Sequence, residues 1–305
     1  MQWPALPDAP SAQAQAFVAD PANRQPEALD LATLTATRAE GLALAEHAHI
    51  KLCTNYSLTT QWIEVAGRRC LEITPEVRKS RATILYLFGG GFISGGPLQD
   101  LQIIAPIAAE TGMRVLAPEY RLAPEHPWPA ALEDVQAVAQ HLAQNGPYML
   151  SGESAGGNLA LCALQWLALQ KLPCPRAVAL MSPASDLSER YDRGDVPDDP
   201  TLRPLAVTQV SRTYADGHPL EDARLSPLFG EIGADWPATL ITTGTRDLFA
   251  DQCKRLHDTL RASGVQSHLR VWAGLWHVFE YYPQIPEAQR SLSEIAQFLS
   301  THHHD

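Results

Sequence analysis

Cysteine is scarce in this chain and does not pair by pattern. Cys53, Cys70, Cys162, Cys174 and Cys253 are odd in number, scattered, and never in a Cys-x-x-Cys or zinc-like spacing. That argues against a disulfide scaffold or a zinc site and reads as buried free thiols in a reducing compartment. Cations are also short: 23 Lys and Arg stand against 34 Asp and Glu, a formal net charge of −11, and no basic run appears. Nucleic acids and acidic membrane surfaces both reward clustered Lys and Arg, so neither is expected as a partner, and small or neutral ligands are. Long apolar runs are missing too. No window approaches the ~20 apolar residues of a membrane span, and Met1 to Pro10 has neither the positive cluster nor the apolar stretch of a signal peptide. A cytoplasmic protein is therefore expected.

Other absences narrow the chemistry. There are no internal repeats, no low-complexity linkers, and no Gly-x-Gly-x-x-G opening a helix, which a dinucleotide site would need. His47 and His49 lie two apart and so point to different faces of a helix. The terminal His302-His303-His304-Asp305 is a frayed end rather than a preformed metal site. No metal and no cofactor is expected.

What is present is the grammar of an α/β protein. At 305 residues, 45% hydrophobic and 19% charged, the chain can bury one sizeable core. After a Pro/Ala/Gln-rich opening, Leu29 to Ile50 suits one or two helices starting near Asp30. Tyr56 to Val65 and Arg69 to Thr74 alternate around Ala66-Gly67-Arg68, as a hairpin of outer strands does. Apolar strand-type runs then alternate with helical stretches. The strands are Ala82 to Phe88, Met113 to Ala117, Tyr148 to Ser151, Ala177 to Met181, Ala238 to Thr243 and His268 to Trp272. The helices are Leu98 to Thr111, Ala130 to Gln144, Asn158 to Gln170, Phe249 to Ser263 and Glu287 to Leu299. Strands alternating with helices predict a parallel sheet covered on both faces. The rhythm breaks at about 183–227, rich in Asp, Arg and Pro with a helical piece near Leu205 to Tyr214. An insertion there would lie over the C-terminal edge of the sheet, where α/β proteins bind ligands. It is read as half of a lid, residues 1–50 being the other half and 51–305 the catalytic domain.

Tyr148 to Asn158 carries the sharpest signal. An apolar run ends at Ser151, Gly152-Glu153-Ser154-Ala155-Gly156 follows, and an Ala/Leu-rich helix begins, so Ser154 sits on a strand-to-helix turn of the nucleophile-elbow kind. Flanking glycines leave room for a strained serine, and a helix start aims N–H groups at developing negative charge. A serine hydroxyl needs a base, and the base needs an acceptor to fix its tautomer. Two loops at strand C-termini carry suitable residues: Gly244-Thr245-Arg246-Asp247 and Gly274-Leu275-Trp276-His277. The order Ser154, Asp247, His277 is the one this architecture uses; Asp251, one turn into the following helix, is the rival carboxylate. Gly89-Gly90-Gly91 directly after a strand suits an oxyanion loop, with Ala155 following the nucleophile. Phe92, Trp128, Leu275 and Trp276 flank these loops and are expected to form an apolar, bulky substrate wall suited to neutral esters.

Together, Gly89-Gly90-Gly91-Phe92, the run Glu119 to Asp134 and Gly152 to Asn158 resemble the hormone-sensitive-lipase-like family of α/β-hydrolases, to which bacterial carboxylesterases and lactone hydrolases belong. Leu225-Ser226-Pro227-Leu228, the Asp247 loop and Trp276-His277-Val278-Phe279 are similar to later family segments. The resemblance implies an eight-stranded, mostly parallel sheet under a helical cap. It further implies a metal-free serine esterase acting on short- to medium-chain esters or lactones, oxyanion N–H groups from Gly90, Gly91 and Ala155, and a homodimer formed through the edge strand His268 to Trp272. The chain departs from the pattern at Phe88, where the family has a histidine that braces the oxyanion loop, and at Glu119, where Asp is commoner. A phenyl ring makes no such hydrogen bond, so the loop must be braced differently or catalysis is weakened. Arg121 with Glu133 and Asp134 is read as scaffolding of a Pro-rich turn. The alternative to an esterase is a non-catalytic small-molecule-binding protein on a hydrolase scaffold.

Overall fold

The computed structural model describes residues 3–188 and 198–302, so part of the expected lid insertion, residues 189–197, and the terminal histidines 303–304 lie outside the described residues. Eight strands form one sheet: β1 (Leu58–Val65), β2 (Arg68–Pro75), β3 (Thr83–Leu87), β4 (Arg114–Pro118), β5 (Tyr148–Glu153), β6 (Ala177–Met181), β7 (Ala238–Gly244) and β8 (Ser267–Trp272). Their spatial order is β1-β2-β4-β3-β5-β6-β7-β8. The β1/β2 and β2/β4 pairs are antiparallel and the rest parallel.

The register follows from local chemistry. Ala66 and Gly67 turn between β1 and β2 with φ of 50° and 72°, the left-handed pair that matches the twist of a two-residue hairpin. In contrast, β3, β5 and β6 are buried at every position, because a parallel strand is covered on both faces; β3 and β6 are apolar nearly throughout, while β5 ends in Ser151, Gly152 and Glu153. Each fully buried Leu, Ile or Val there contributes about 1.5–3 kcal/mol by leaving water.

The crossover helices are α3 (Leu101–Thr111), α4 (Ala130–Asn145), α5 (Ser154–Leu169) and α7 (Ala250–Ala262), and α8 (Pro286–Thr301) follows the last strand. α3 packs on α8, and α4 on α5. α5 begins at Ser154 itself, earlier than the Asn158 expected from sequence. Gly156 and Gly157 mask the helix start in propensity, yet the packing demands them: a Cβ at Gly156 would collide with the carbonyls of Leu87 and Phe88, and one at Gly157 would press on Pro183.

Three further helices precede or interrupt this core. α2 (Leu34–Tyr56) follows a short 3-10 turn, and α6 (Pro204–Ala215) lies in the insertion. α1 (Ala12–Ala19) was not expected. It is capped by Ser11, whose Oγ accepts the Ala14 N–H, and it seats Phe17 on the Trp276 ring with centroids 4.2 Å apart. The N-terminal segment and the α6 region are stitched together: Gln25 N–H donates to Pro200 O at 2.9 Å and Leu29 N–H to Gln209 Oε1 at 2.8 Å. Arg38 on α2 reaches the loop that follows the glycine run, donating to Ile93 O at 2.6 Å and to Glu125 at 2.9 Å. Arg121 pairs with Asp134 at 2.9 Å and Glu133 at 3.1 Å across the Pro-rich turn. No helix among the described residues is long and apolar enough to cross a membrane.

Candidate active site

The β5–α5 junction bends so sharply that Ser154 takes φ 51°, a left-handed conformation that costs a non-glycine residue about 1–3 kcal/mol and that surrounding packing must impose. Gly152 and Gly156 make the bend possible, since a Cβ at Gly152 would lie 2.7 Å from the Gly156 carbonyl oxygen. The loops after β7 and β8 bring the partners. Ser154 Oγ lies 2.9 Å from His277 Nε2, and His277 Nδ1 lies 3.0 Å from Asp247 Oδ1. All three are buried, Asp247 completely and His277 at 7% exposure.

Asp247 is itself held from two sides. Its Oδ1 also accepts the Phe249 N–H at 2.8 Å, and its Oδ2 accepts the Thr243 hydroxyl at 2.7 Å. Burial alone would raise this carboxyl, but the adjacent His277 imidazole, with hydrogen bonds from His277, Ser182 and Phe249, outweighs it and holds Asp247 below its usual range. The rival Asp251 faces Arg255 one turn along α7. Phe249 stands edge-on to the His277 ring at 4.9 Å.

On the facing loop, Gly90 and Gly91 have φ of 98° and 64°, and Phe92 follows at 63°. Gly90 O accepts the Ile93 and Ser94 N–H groups and the Ser94 hydroxyl, closing the loop into a tight turn. Among the described residues no hydrogen bond engages the N–H groups of Gly90, Gly91 or Ala155. Phe88, the odd residue, is packed rather than polar: its ring stacks on Tyr120 at 4.0 Å, and the Tyr120 hydroxyl donates to Phe88 O at 2.6 Å.

Ser154, His277 and the glycine run line one cavity of about 470 Å³. Of the four side chains expected on its wall only Phe92 is there, and it stacks on Tyr214 at 3.8 Å. Trp128 lies away from it, edge-on to His218 at 4.5 Å with the Arg224 guanidinium over its ring. Leu275 and Trp276 are a further correction. With α1 laid over this loop, Trp276 stacks on Phe17 and Leu275 is buried in the same cluster, away from the cavity that His277 lines. The apolar wall comes instead from Leu29, Leu202, Val207, Val210 and Phe249.

A carboxylate not singled out from the sequence also reaches the site. Asp199, 5% exposed, accepts His277 N–H at 3.1 Å and Leu248 N–H at 3.2 Å through Oδ2, while Oδ1 accepts from Thr201 and Leu202. It thereby ties the base loop, the acid loop and the insertion together. Burial, and then the Asp247 charge, push its carboxyl up. The Asp199-Pro200-Thr201 run reads locally as a turn, and only the long-range contacts give it another part.

The chain as a whole is similar to known proteins. Residues 84–281 match the family described as alpha/beta hydrolase fold. The chain is 31% identical over 247 residues to an esterase of Acinetobacter venetianus, covering 78% of this chain and 81% of that one. It is 31% identical over 251 residues to an acetyl-hydrolase of Streptomyces hygroscopicus, covering 78% and 82%. Among solved structures it is similar to the esterase E25, with TM-score 0.86, 27% identity and coverage of 100% and 99%, and to an esterase from the bacterial hormone-sensitive lipase family, with TM-score 0.80, 25% identity and coverage of 96% and 97%. The chain belongs to the α/β-hydrolase fold family, in its hormone-sensitive-lipase-like branch. Its class is that of the carboxylic ester hydrolases.

Proposed function

We propose that the protein hydrolyses neutral carboxylic esters of short- to medium-chain acids through Ser154, His277 and Asp247, with an acyl-enzyme intermediate. The observation that carries this reading is the unbroken chain Asp247–His277–Ser154 opening onto a mainly apolar cavity opposite the N–H groups of Gly90, Gly91 and Ala155. His277 Nε2 takes the Ser154 proton as Oγ attacks the ester carbonyl, and Asp247 stabilises the imidazolium that forms. The tetrahedral oxyanion is met by the glycine and Ala155 N–H groups at the α5 N-terminus, which are fixed before the reaction and need little reorganisation. The imidazolium then protonates the leaving alcohol, and water repeats the cycle on the acyl-enzyme.

The short acyl preference is supported by the cavity size and by the acetyl-hydrolase among the relatives. Residues 1–50 and the insertion at about 183–227 act as the two halves of a cap, a reading supported by the hydrogen bonds that link Gln25 and Leu29 to the α6 region. The test is hydrolysis of p-nitrophenyl esters from acetate to dodecanoate by wild type and Ser154→Ala. Turnover greatest at short chains and lost in the variant is expected. No turnover by folded wild-type protein would instead favour a binding protein on this scaffold.

A further inference from the structure

Two buried acids beneath the glycine run have no part in the steps above. Glu153 is the residue before the nucleophile and Asp100 the residue before α3, with exposures of 6% and 5%. Tyr86 Oη donates to Asp100 Oδ2 at 2.8 Å. The Asp100 and Glu153 carboxyls hydrogen-bond each other, and the Gly89 N–H acts on both. The Glu153 carboxyl lies so close against Gly89 that a Cβ there would collide with both of its oxygens. Tyr120, Tyr281 and Glu280 are the further ionisable groups that act on the pair, while Arg38, which lines the same cavity, is turned to Ile93 O, Ala123 O and Glu125. Two buried carboxyls in contact do not both ionise. A proton therefore stays between them.

The consequence concerns Gly89, because its neighbours Gly90 and Gly91 have left-handed backbones whose N–H directions depend on how the segment is anchored. On one side the anchor is Ser94 on Gly90 O. On the other, the Phe88 ring only stacks and donates nothing. We propose that Glu153, held in place by Asp100 and Tyr86, is a positioning residue that supports Gly89 from beneath and so aims the Gly90 and Gly91 N–H groups at the reacting oxygen. This rests on the ester-hydrolase reading of the site.

The experiment is steady-state kinetics on p-nitrophenyl butyrate at pH 7, with active sites counted by a serine-directed phosphonate and folding checked by thermal melts. Glu153→Ala lowers kcat per labelled site by about 10- to 100-fold with KM within about twofold. That is less than the ~10²- to 10³-fold cost of deleting an oxyanion donor, because a support is lost and no donor is. Glu153→Gln, which keeps the bulk of the side chain against Gly89 and an N–H donor toward Asp100, recovers most of that loss. Should Glu153→Ala not fold, Tyr86→Phe, which removes only the hydroxyl that holds Asp100, lowers kcat by about 3- to 10-fold. Unchanged kcat per labelled site in Glu153→Ala or, failing that, in Tyr86→Phe would overturn the proposal, and so would equal losses in the Ala and Gln variants. A wild type that is labelled by the phosphonate but does not turn over would overturn the ester-hydrolase reading and this inference with it.

Discussion

Asp247→Asn tests the site at the point where its geometry makes an unusual demand. In the wild type Oδ1 accepts two N–H groups, His277 Nδ1–H and Phe249 N–H, while Oδ2 accepts the Thr243 hydroxyl; the Ser182 hydroxyl, which like that of Thr243 can rotate, also donates to the carboxylate. An asparagine can satisfy this only with its oxygen at Oδ1, because an NH₂ there would face the Phe249 N–H donor, which cannot turn. The NH₂ then sits at the Oδ2 place and donates to Thr243 Oγ1, a hydroxyl that can rotate to accept. His277 therefore keeps its tautomer, and the loss is that of charge alone. Hydrogen bonds to charged groups contribute about 1.5–3 kcal/mol against about 0.5–1.5 for neutral ones, and the Coulomb attraction of the imidazolium adds to the difference. A total of about 2–3 kcal/mol corresponds to roughly 30- to 150-fold in kcat. Stopped-time assays with p-nitrophenyl butyrate at pH 8 measure it, with Thr243→Val/Asp247→Asn as the second arm; removing the acceptor is expected to deepen the loss. A fall of ~10⁴-fold in Asp247→Asn alone, the size associated with a wrong tautomer, would refute the reasoning, as would a fall below about fivefold.

Phe88→His is expected to give no gain in kcat and a lower Tm, because the imidazole would replace a ring stacked on Tyr120 in a buried site and an unpaired buried polar group costs about 1–3 kcal/mol; melts beside kinetics decide it. Asp199→Ala releases the His277 N–H and Leu248 N–H together, so kcat should fall about 10-fold or more and Asp199→Asn should recover part of it. Burial raises the Asp100 carboxyl to about 7. Because that value exceeds the unfolded ~3.9, its stability contribution is complete below about pH 4 and is lost as pH rises through about 7. Thermal melts should therefore show the wild type losing Tm between pH 5 and pH 8, and Asp100→Asn losing less over the same interval.

Much of the frame was legible because local rules leave local marks. A parallel strand covered on both faces is largely apolar, as in Thr83–Leu87 and Ala177–Met181, and a two-residue hairpin needs left-handed residues such as Ala66-Gly67. The bend at Ser154 excludes side chains at Gly152 and Gly156, so steric demand wrote the elbow into five consecutive residues. Parallel strands bring their C-terminal loops to one sheet edge, and for that reason chain order alone singled out Asp247 and His277 as the residues to look for.

What faces what was decided only by the tertiary structure. Trp276 adjoins His277 in sequence yet stacks on Phe17, while Val210, fifty-six residues beyond Ser154, lines its cavity. The helix Ala12–Ala19 hid in a Pro/Ala/Gln-rich opening because its stability comes from seating Phe17 against that tryptophan rather than from its own periodicity. Asp199 reads as a turn residue until folding places it across from His277 and Leu248, and Asp100 as an ordinary helix-start acid until it meets Glu153 and Tyr86. Short-range sterics act between neighbours in the chain and can be read there. Burial and the partnering of polar groups act between neighbours in space, which the order of residues does not record.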